Sequence, residues 1–511
     1  MSSQILHNAR QYEETYEKDI RPEDRPAFHL TPRVGWMNDP NGFSFYQGKY
    51  HLFYQYYPYA SHWDSMHWGH AVSEDLLCWE YLPAAMAPDQ DYDKDGVFSG
   101  SAITLEDGRQ LLVYTGVEKQ LQSDGQYKEI QVQCGAIGDG LDYQKLEANP
   151  VIKGDTVPEG SSIYDFRDPK VWQKPDGTYR LLVGNRAPDG TGHLLLYKSE
   201  DACSWEFQKV FAKNEGRLGS MWECPDFFEL DGKGIVLISP QDMLPQGLEY
   251  HGGNGTVCLI GSYDADTDTF TEETNQAVDY GLDFYAMQTV LTPDGRRVMI
   301  GWMQNWETSK AHSDQDRWFG QMSLPREVSL KNGRLYQQPI RELEQYRGNK
   351  VEYKDVLVKG SRAISSEPGV AGENSLGVTL EGVEGRLIDL EVEISGADAD
   401  TLYDRFTVSL AADNCCHTDI CFRPKESVVT LDRTFSGSRY DVVHQRQAKV
   451  ASTDGTLKMR IIMDRFSLEV FLEDGREVMS AVIYTDMAAE GIRFTADQDV
   501  RLQMTKYDLE L

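Results

Sequence analysis

Cysteine is scarce in this chain, with eight in 511 residues. Apart from adjacent Cys415 and Cys416 they are scattered, and no CxxC pair occurs, which argues against a disulfide framework and against a zinc site. An apolar leader is also missing: the stretch from Met1 to His7 soon turns charged, without the core and cleavage site of a secretory signal. No run reaches transmembrane length. A cytoplasmic location is the expectation. Positive charge is in deficit, at 50 Lys and Arg against 82 Asp and Glu, for a formal net charge of −32. That balance excludes nucleic acid and anionic membrane as natural partners and suits a neutral substrate, while leaving open a local basic pocket for a phosphorylated one. Helical periodicity is nearly absent beyond residues 4 to 19, which fit a short amphipathic helix.

What the chain does have is apolar and aromatic material: 40% hydrophobic residues, with 27 Tyr and 10 Trp. Its length exceeds one ordinary core, so more than one domain is expected. From Phe28 onward, short β-branched and aromatic runs alternate with turn residues. Tyr50–Tyr54, Leu111–Tyr114, Tyr179–Val183, Ile235–Ile238 and Val298–Ile300 read as buried strands. Each follows a tight turn, at Gly48, Gly108, Gly177, Gly232 and Gly295, and all but the first of these glycines follow Asp. The glycines recur roughly every 60 residues, the length of a four-stranded sheet plus loops, which predicts a five-bladed β-propeller. The stretch Ser73 to Glu80 is echoed by Ser199 to Glu206. A charged connector over Arg341–Tyr353 precedes strands without the blade pattern, such as those in Leu457–Val470. The predicted organisation is all-β: an N-terminal extension with a short helix (1–27), a propeller (28–345) and a C-terminal β-sandwich (346–511).

Nine residues before three of the turn glycines stand Asp39, Asp168 and Glu223. Blades surround an axis, so equivalent positions on their first strands converge, and three carboxylates are expected in one pocket. Crowding like charges is costly without a cation or a chemical task. Two tasks fit: glycoside hydrolysis by a carboxylate pair and metal binding. The surroundings favour sugar. Trp36, Phe53, Tyr56, Trp63, Trp68, Trp222 and Trp306 supply apolar faces, and Asn38, Gln55, His67, Asp95 and Arg167 supply hydroxyl partners. The two blades without a carboxylate here carry Ser99, beside Phe98, and Ala286, beside Tyr285, which can line the pocket without charge.

The stretches Trp36-Met37-Asn38-Asp39-Pro40-Asn41-Gly42, Phe98-Ser99-Gly100-Ser101, Phe166-Arg167-Asp168-Pro169 and Trp222-Glu223-Cys224-Pro225-Asp226 closely resemble the motifs of glycoside hydrolase family 32. The resemblance runs from about His29 to about Tyr484. It implies a retaining β-fructofuranosidase with Asp39 as nucleophile, Glu223 as acid/base and Asp168 holding ring hydroxyls, and it places the loop of Asp95 at the substrate rim. No cofactor is implied. Sucrose and short fructo-oligosaccharides are the expected substrates. Sucrose 6-phosphate, inulin- or levan-type fructans, fructosyl transfer and an inactive carbohydrate-binding protein are the alternatives.

Other patterns are read as structural. Asp91 to Gly96 imitates a calcium loop, but its twelfth position is Ala102 instead of Glu. His62, His67 and His70 lack a metal-ligand pattern. Trp79 and Trp205 are expected in blade cores, and Cys224 is expected to shape the pocket. Oligomeric state is left open, with a homo-oligomer compatible.

Overall fold

The computed structural model describes residues 3–309, 317–360, 377–398, 402–437 and 443–511, and among these the chain is almost entirely β. The helix Gln4–Tyr16 opens it, capped by Ser3, whose hydroxyl accepts from the Leu6 amide at 3.2 Å. It is tied to the strand Trp79–Met86 at one residue. Arg10 Nε donates to the Ala84 carbonyl at 2.9 Å, and the Ala84 amide donates to the buried Glu13 carboxylate at 3.1 Å.

Five sheets follow, each with four antiparallel strands in chain order. Their first strands are Gly35–Tyr46, Gly96–Thr104, Phe166–Gln173, Met221–Leu230 and Tyr285–Leu291. Every apolar run picked from the sequence lies in a second strand, flanked on both sides by partners and buried throughout. Each first strand contacts the next, and the fifth contacts the first. The short strand Trp318–Phe319 also pairs in parallel with Gly35 and Trp36, tying the fifth sheet to the first.

The turns are not all alike. Those after the first strands of the first and fourth sheets are two-residue hairpins, Gln47-Gly48 and Asp231-Gly232, with both residues at positive φ. The other three are longer by one residue and close with Gly108, Gly177 and Gly295 donating back three positions. The Ser73 and Ser199 echoes form the same turn: each hydroxyl is bonded to an aspartate two positions on, Asp75 and Asp201, and the next residue, Leu76 or Ala202, is left-handed.

The remaining strands form a six-stranded and a five-stranded sheet joined by a core that includes Val392, Phe406, Leu410, Phe494 and Leu502. The expected connector over Arg341–Tyr353 is only half irregular. Residues Arg341–Tyr346 form a 3-10 turn, but Arg347–Val358 is an edge strand paired with Val500–Leu509. Its charges mislead because this edge strand leaves its residues exposed or half-buried up to Val358, so charge is tolerated along it.

Buried ion pairs lock the last two sheets onto the rest. His29 lies between Asp464 at 2.8 Å and Glu469 at 3.1 Å. Arg326 joins Glu469 to Asp279, and Arg433 is paired with Asp283. All are buried, and removing one partner from such a set leaves an uncompensated charge.

Candidate active site

Each of the five first strands has a register irregularity against its second strand: between Met37 and Pro40, Phe98 and Gly100, Arg167 and Lys170, Glu223 and Asp226, and Tyr285 and Gln288. Asp168, Cys224 and Ala286 adopt left-handed backbone there, at φ of 66°, 47° and 55°. Such a conformation costs an L-residue on the order of 1–3 kcal/mol and persists where packing enforces it. Bulges re-aim side chains, and here they turn those of Asp39, Asp168 and Glu223 into one cluster.

The equal nine-residue offset is not an equal pairing position. Glu223 pairs with Ser239, ahead of its bulge, whereas Asp168 and Asp39 lie within theirs. Turn length differs by one residue between these sheets, and the first strand has a second irregularity between Asn41 and Ser44. Constant chain spacing therefore lands on staggered sites.

The cluster is tight. The Cys224 sulfur lies 3.5 Å from Asp39 Oδ2 and 3.6 Å from Asp168 Oδ2, and the Cys224 amide donates to Asp168 Oδ2 at 2.9 Å. Ser99 donates to Asp39 Oδ2 at 2.6 Å and Asn38 donates to Oδ1 at 3.0 Å. Asn38 is itself oriented by Trp36 Nε1 at 2.8 Å. Arg167 Nε reaches Glu223 Oε1 at 3.0 Å, and Gln241 and Tyr285 donate to Oε2 at 2.8 and 2.7 Å. The third and fourth sheets meet closely enough for this because Gly184, opposite Arg167, has no side chain: a Cβ there would lie 2.2 Å from the Trp222 carbonyl oxygen.

The three carboxylates are 8%, 5% and 9% exposed, so each is sunk yet open at one edge. Burial raises Asp168, and Glu223 and Asp39 add to the effect against the pull of Arg167, leaving it pushed up to about 7. Burial also raises Asp39, with Glu223 contributing, although bonds from Ser99 and Asn38 oppose it.

The aromatic surroundings divide in two. Phe53, Tyr56, Trp68 and Trp222 are fully buried supports, not accessible faces; Trp222, for example, donates its Nε1 to the Leu218 carbonyl. Trp63, Phe98 and Trp306 retain exposure. Trp63 meets Phe98 edge-on at 5.9 Å, and Phe98 and Trp306 pack on the cluster of Trp36, Cys224, Tyr285 and Trp302. Gln55 donates to the Val97 carbonyl, holding the first sheet to the second. Asp95 accepts from the Lys119 amide at 2.7 Å, so its carboxylate organises its loop.

His67 is buried with Nδ1 against the Ser65 carbonyl, and His70 pairs with His51. In the calcium-like loop, Asp93 is engaged by Lys145 and Tyr114. Among the described residues no group of three or more His, Cys, Asp or Glu is arranged to hold a metal ion.

Sequence reading missed Gln241, Ser239 and Thr115. Ser239 accepts from the Ala286 amide, and Thr115 accepts from the Asp168 amide. A signal existed, since Gln55, Thr115 and Ser239 each directly follow one of the apolar runs. The second strand there reaches the level of the bulges.

Known proteins resemble the chain over nearly its whole length. The profile for the glycosyl hydrolases family 32 N-terminal domain matches residues 29–339, and that for the family 32 C terminal matches residues 342–508. A sucrose-6-phosphate hydrolase of Escherichia coli is 38% identical, covering 90% of this chain and 89% of its own. A raffinose invertase from Escherichia coli is 35% identical over the same shares. Among solved structures, a mutant family 32 beta-fructofuranosidase of Bombyx mori in complex with sucrose superposes with a TM-score of 0.82 at 32% identity, covering 100% of this chain and 99% of that one. With both family profiles together spanning nearly the whole sequence, and four motifs meeting at one cluster of carboxylates, this chain belongs to glycoside hydrolase family 32.

Proposed function

We propose that the protein is a retaining β-fructofuranosidase that releases terminal β-D-fructofuranosyl units from sucrose and short fructo-oligosaccharides. The observation that carries this is the Cys224 sulfur in contact with both Asp39 and Asp168, with Glu223 adjacent in the chain, so that three carboxylates form one cluster.

Asp39, oriented by Asn38 and Ser99, attacks the anomeric carbon. Glu223 protonates the departing oxygen and then activates water, and Asp168 holds ring hydroxyls. Tyr285 supports the change of role at Glu223. Its single proton has two acceptors, Glu223 Oε2 at 2.7 Å and the Ser239 carbonyl at 3.0 Å, so it can release the carboxylate when that oxygen carries a proton. Trp63, Phe98 and Trp306 offer apolar faces to the sugar, with Asp95 in the rim loop. No cofactor takes part.

The five sheets, closed by Trp318–Phe319, are read as a five-bladed β-propeller (28–345) behind an N-terminal extension (1–27), with a β-sandwich (346–511) packed on it. The acidic balance and the absence of any helix long and apolar enough to cross a membrane among the described residues are consistent with a cytoplasmic enzyme. A homo-oligomer is compatible with this reading.

Asp39→Asn, Asp168→Asn and Glu223→Gln are each expected to fold normally and lose sucrose hydrolysis. Removing a general acid costs on the order of 10²–10⁴ in rate, and near-normal turnover in any of the three removes that residue from its role. The name of the Escherichia coli relative favours one second reading, sucrose 6-phosphate as substrate. Turnover compared on sucrose, sucrose 6-phosphate, 1-kestose and inulin decides between them, and product analysis at high sucrose reveals fructosyl transfer.

A further inference from the structure

A second cavity, of about 460 Å³, lies where three distant parts of the chain meet. Asp19, Ile20 and Asp24 come from the N-terminal extension, Gln304 and the Trp318–Phe319 strand from the stretch between the second and third strands of the fifth sheet, and Phe466 and Val482 from the sandwich. The volume falls in the range of small-molecule sites. Asp39, Asp168 and Glu223 do not line it. Phe319 does, and its ring also stacks on Trp36 at 5.2 Å, behind the catalytic cluster.

The walls combine rigid aromatic faces with hydrogen-bonding groups. Trp318 meets Phe466 at 6.2 Å and is fixed by its Nε1, which donates to the Asp24 carbonyl at 3.1 Å. Such a preorganised face lowers the cost of ordering on binding. Gln304 is 2% exposed, and its side-chain oxygen has no hydrogen-bond partner. An unpaired buried acceptor is costly, and a ligand hydroxyl donating to that oxygen would remove the cost. An anion would meet Asp19 and Asp24 as well as Arg317. A purely apolar ligand would leave Gln304 unanswered. A neutral molecule with C–H faces and several hydroxyl groups satisfies the whole lining.

We infer that this seam cavity is a second, non-catalytic binding site for a neutral saccharide of di- to trisaccharide size. The assignment rests on the cavity's own chemistry and goes beyond the catalytic reading.

The probe is sucrose, titrated calorimetrically into the full chain carrying Asp39→Asn to prevent turnover, with sucrose-soaked crystals as a second readout. Two sugars per chain are expected, one of them in the seam. Adding Val482→Trp, which fills the cavity, or the milder Gln304→Leu, should abolish the seam sugar and leave the other. A single site insensitive to both variants overturns the proposal, as does an empty seam in crystals whose carboxylate pocket is filled. Seam density without a matching calorimetric site, or no sugar bound anywhere, overturns it as well. Sugar in the seam with none at residue 39 would sustain this site and sink the catalytic assignment instead.

Discussion

Arg167 and Glu223 face each other from neighbouring sheets, with Nε and a terminal guanidinium nitrogen 3.0 and 2.9 Å from the same carboxylate oxygen, Oε1. Gln241 and Tyr285 occupy the other oxygen. The acid/base candidate is therefore held at a fixed angle before any sugar arrives, which is what positioning of a reacting group requires.

Breaking that clamp should cost activity without unfolding the chain. A hydrogen bond to a charged group contributes about 1.5–3 kcal/mol, or roughly 10- to 100-fold in rate. Arg167→Gln is expected to lower kcat/KM for sucrose by that factor. Tyr285→Phe should lower it less, since Gln241 still holds Oε2. Steady-state kinetics with a thermal melt on each variant checks this; an Arg167→Gln enzyme of normal kcat/KM would show that the clamp plays no part in turnover.

Cys224 gives a contrasting expectation. Its amide bond to Asp168 is short, but its sulfur contacts are long, at 3.5 and 3.6 Å, and thiols are weak donors. Burial and the surrounding carboxylates push its thiol up, which makes it a poor nucleophile. Cys224→Ala is expected to stay within about tenfold of the parent kcat, because the backbone donor survives the change. Complete loss of activity in a folded Cys224→Ala protein would assign the thiol itself a chemical role.

The His29 network predicts a pH dependence of stability. Burial disfavours the charged imidazole, but bonds to Asp464 and Glu469 outweigh it and hold His29 up to about 9. Its folded value exceeds its unfolded one of about 6.5. The stabilisation is thus fully present below pH 6.5 and lost as pH rises through about 9, an effect on the order of 3 kcal/mol. Asp464 and Glu469 are shifted down, so their contribution runs the other way, disappearing in acid. Chemical denaturation from pH 6 to 9.5 should show the parent losing stability and His29→Gln losing much less over that window. Parallel curves would disprove the linkage.

Much of this molecule was legible in the linear chain. Buried second strands announce themselves as apolar runs after glycine turns, since a strand covered on both faces has no wet face to mark with polar residues. Asp39, Asp168 and Glu223 were found by counting back from those turns, and the family motifs surround them. The equality of the count was nevertheless partly fortuitous, because the two-residue turn at Asp231-Gly232 and the longer one closing at Gly177 place Glu223 and Asp168 at different pairing positions.

Local order, the chain repeats and the candidate carboxylates were legible in the sequence alone, because strands and turns are short-range choices made by neighbouring residues. Only the tertiary structure decided which groups hold those carboxylates, that Trp68 and Trp222 lie beneath the site instead of lining it, and that His29 meets Asp464 from the far end of the chain. Those relationships depend on how whole sheets pack, and a contact between residues hundreds of positions apart leaves no trace in the local pattern of either one.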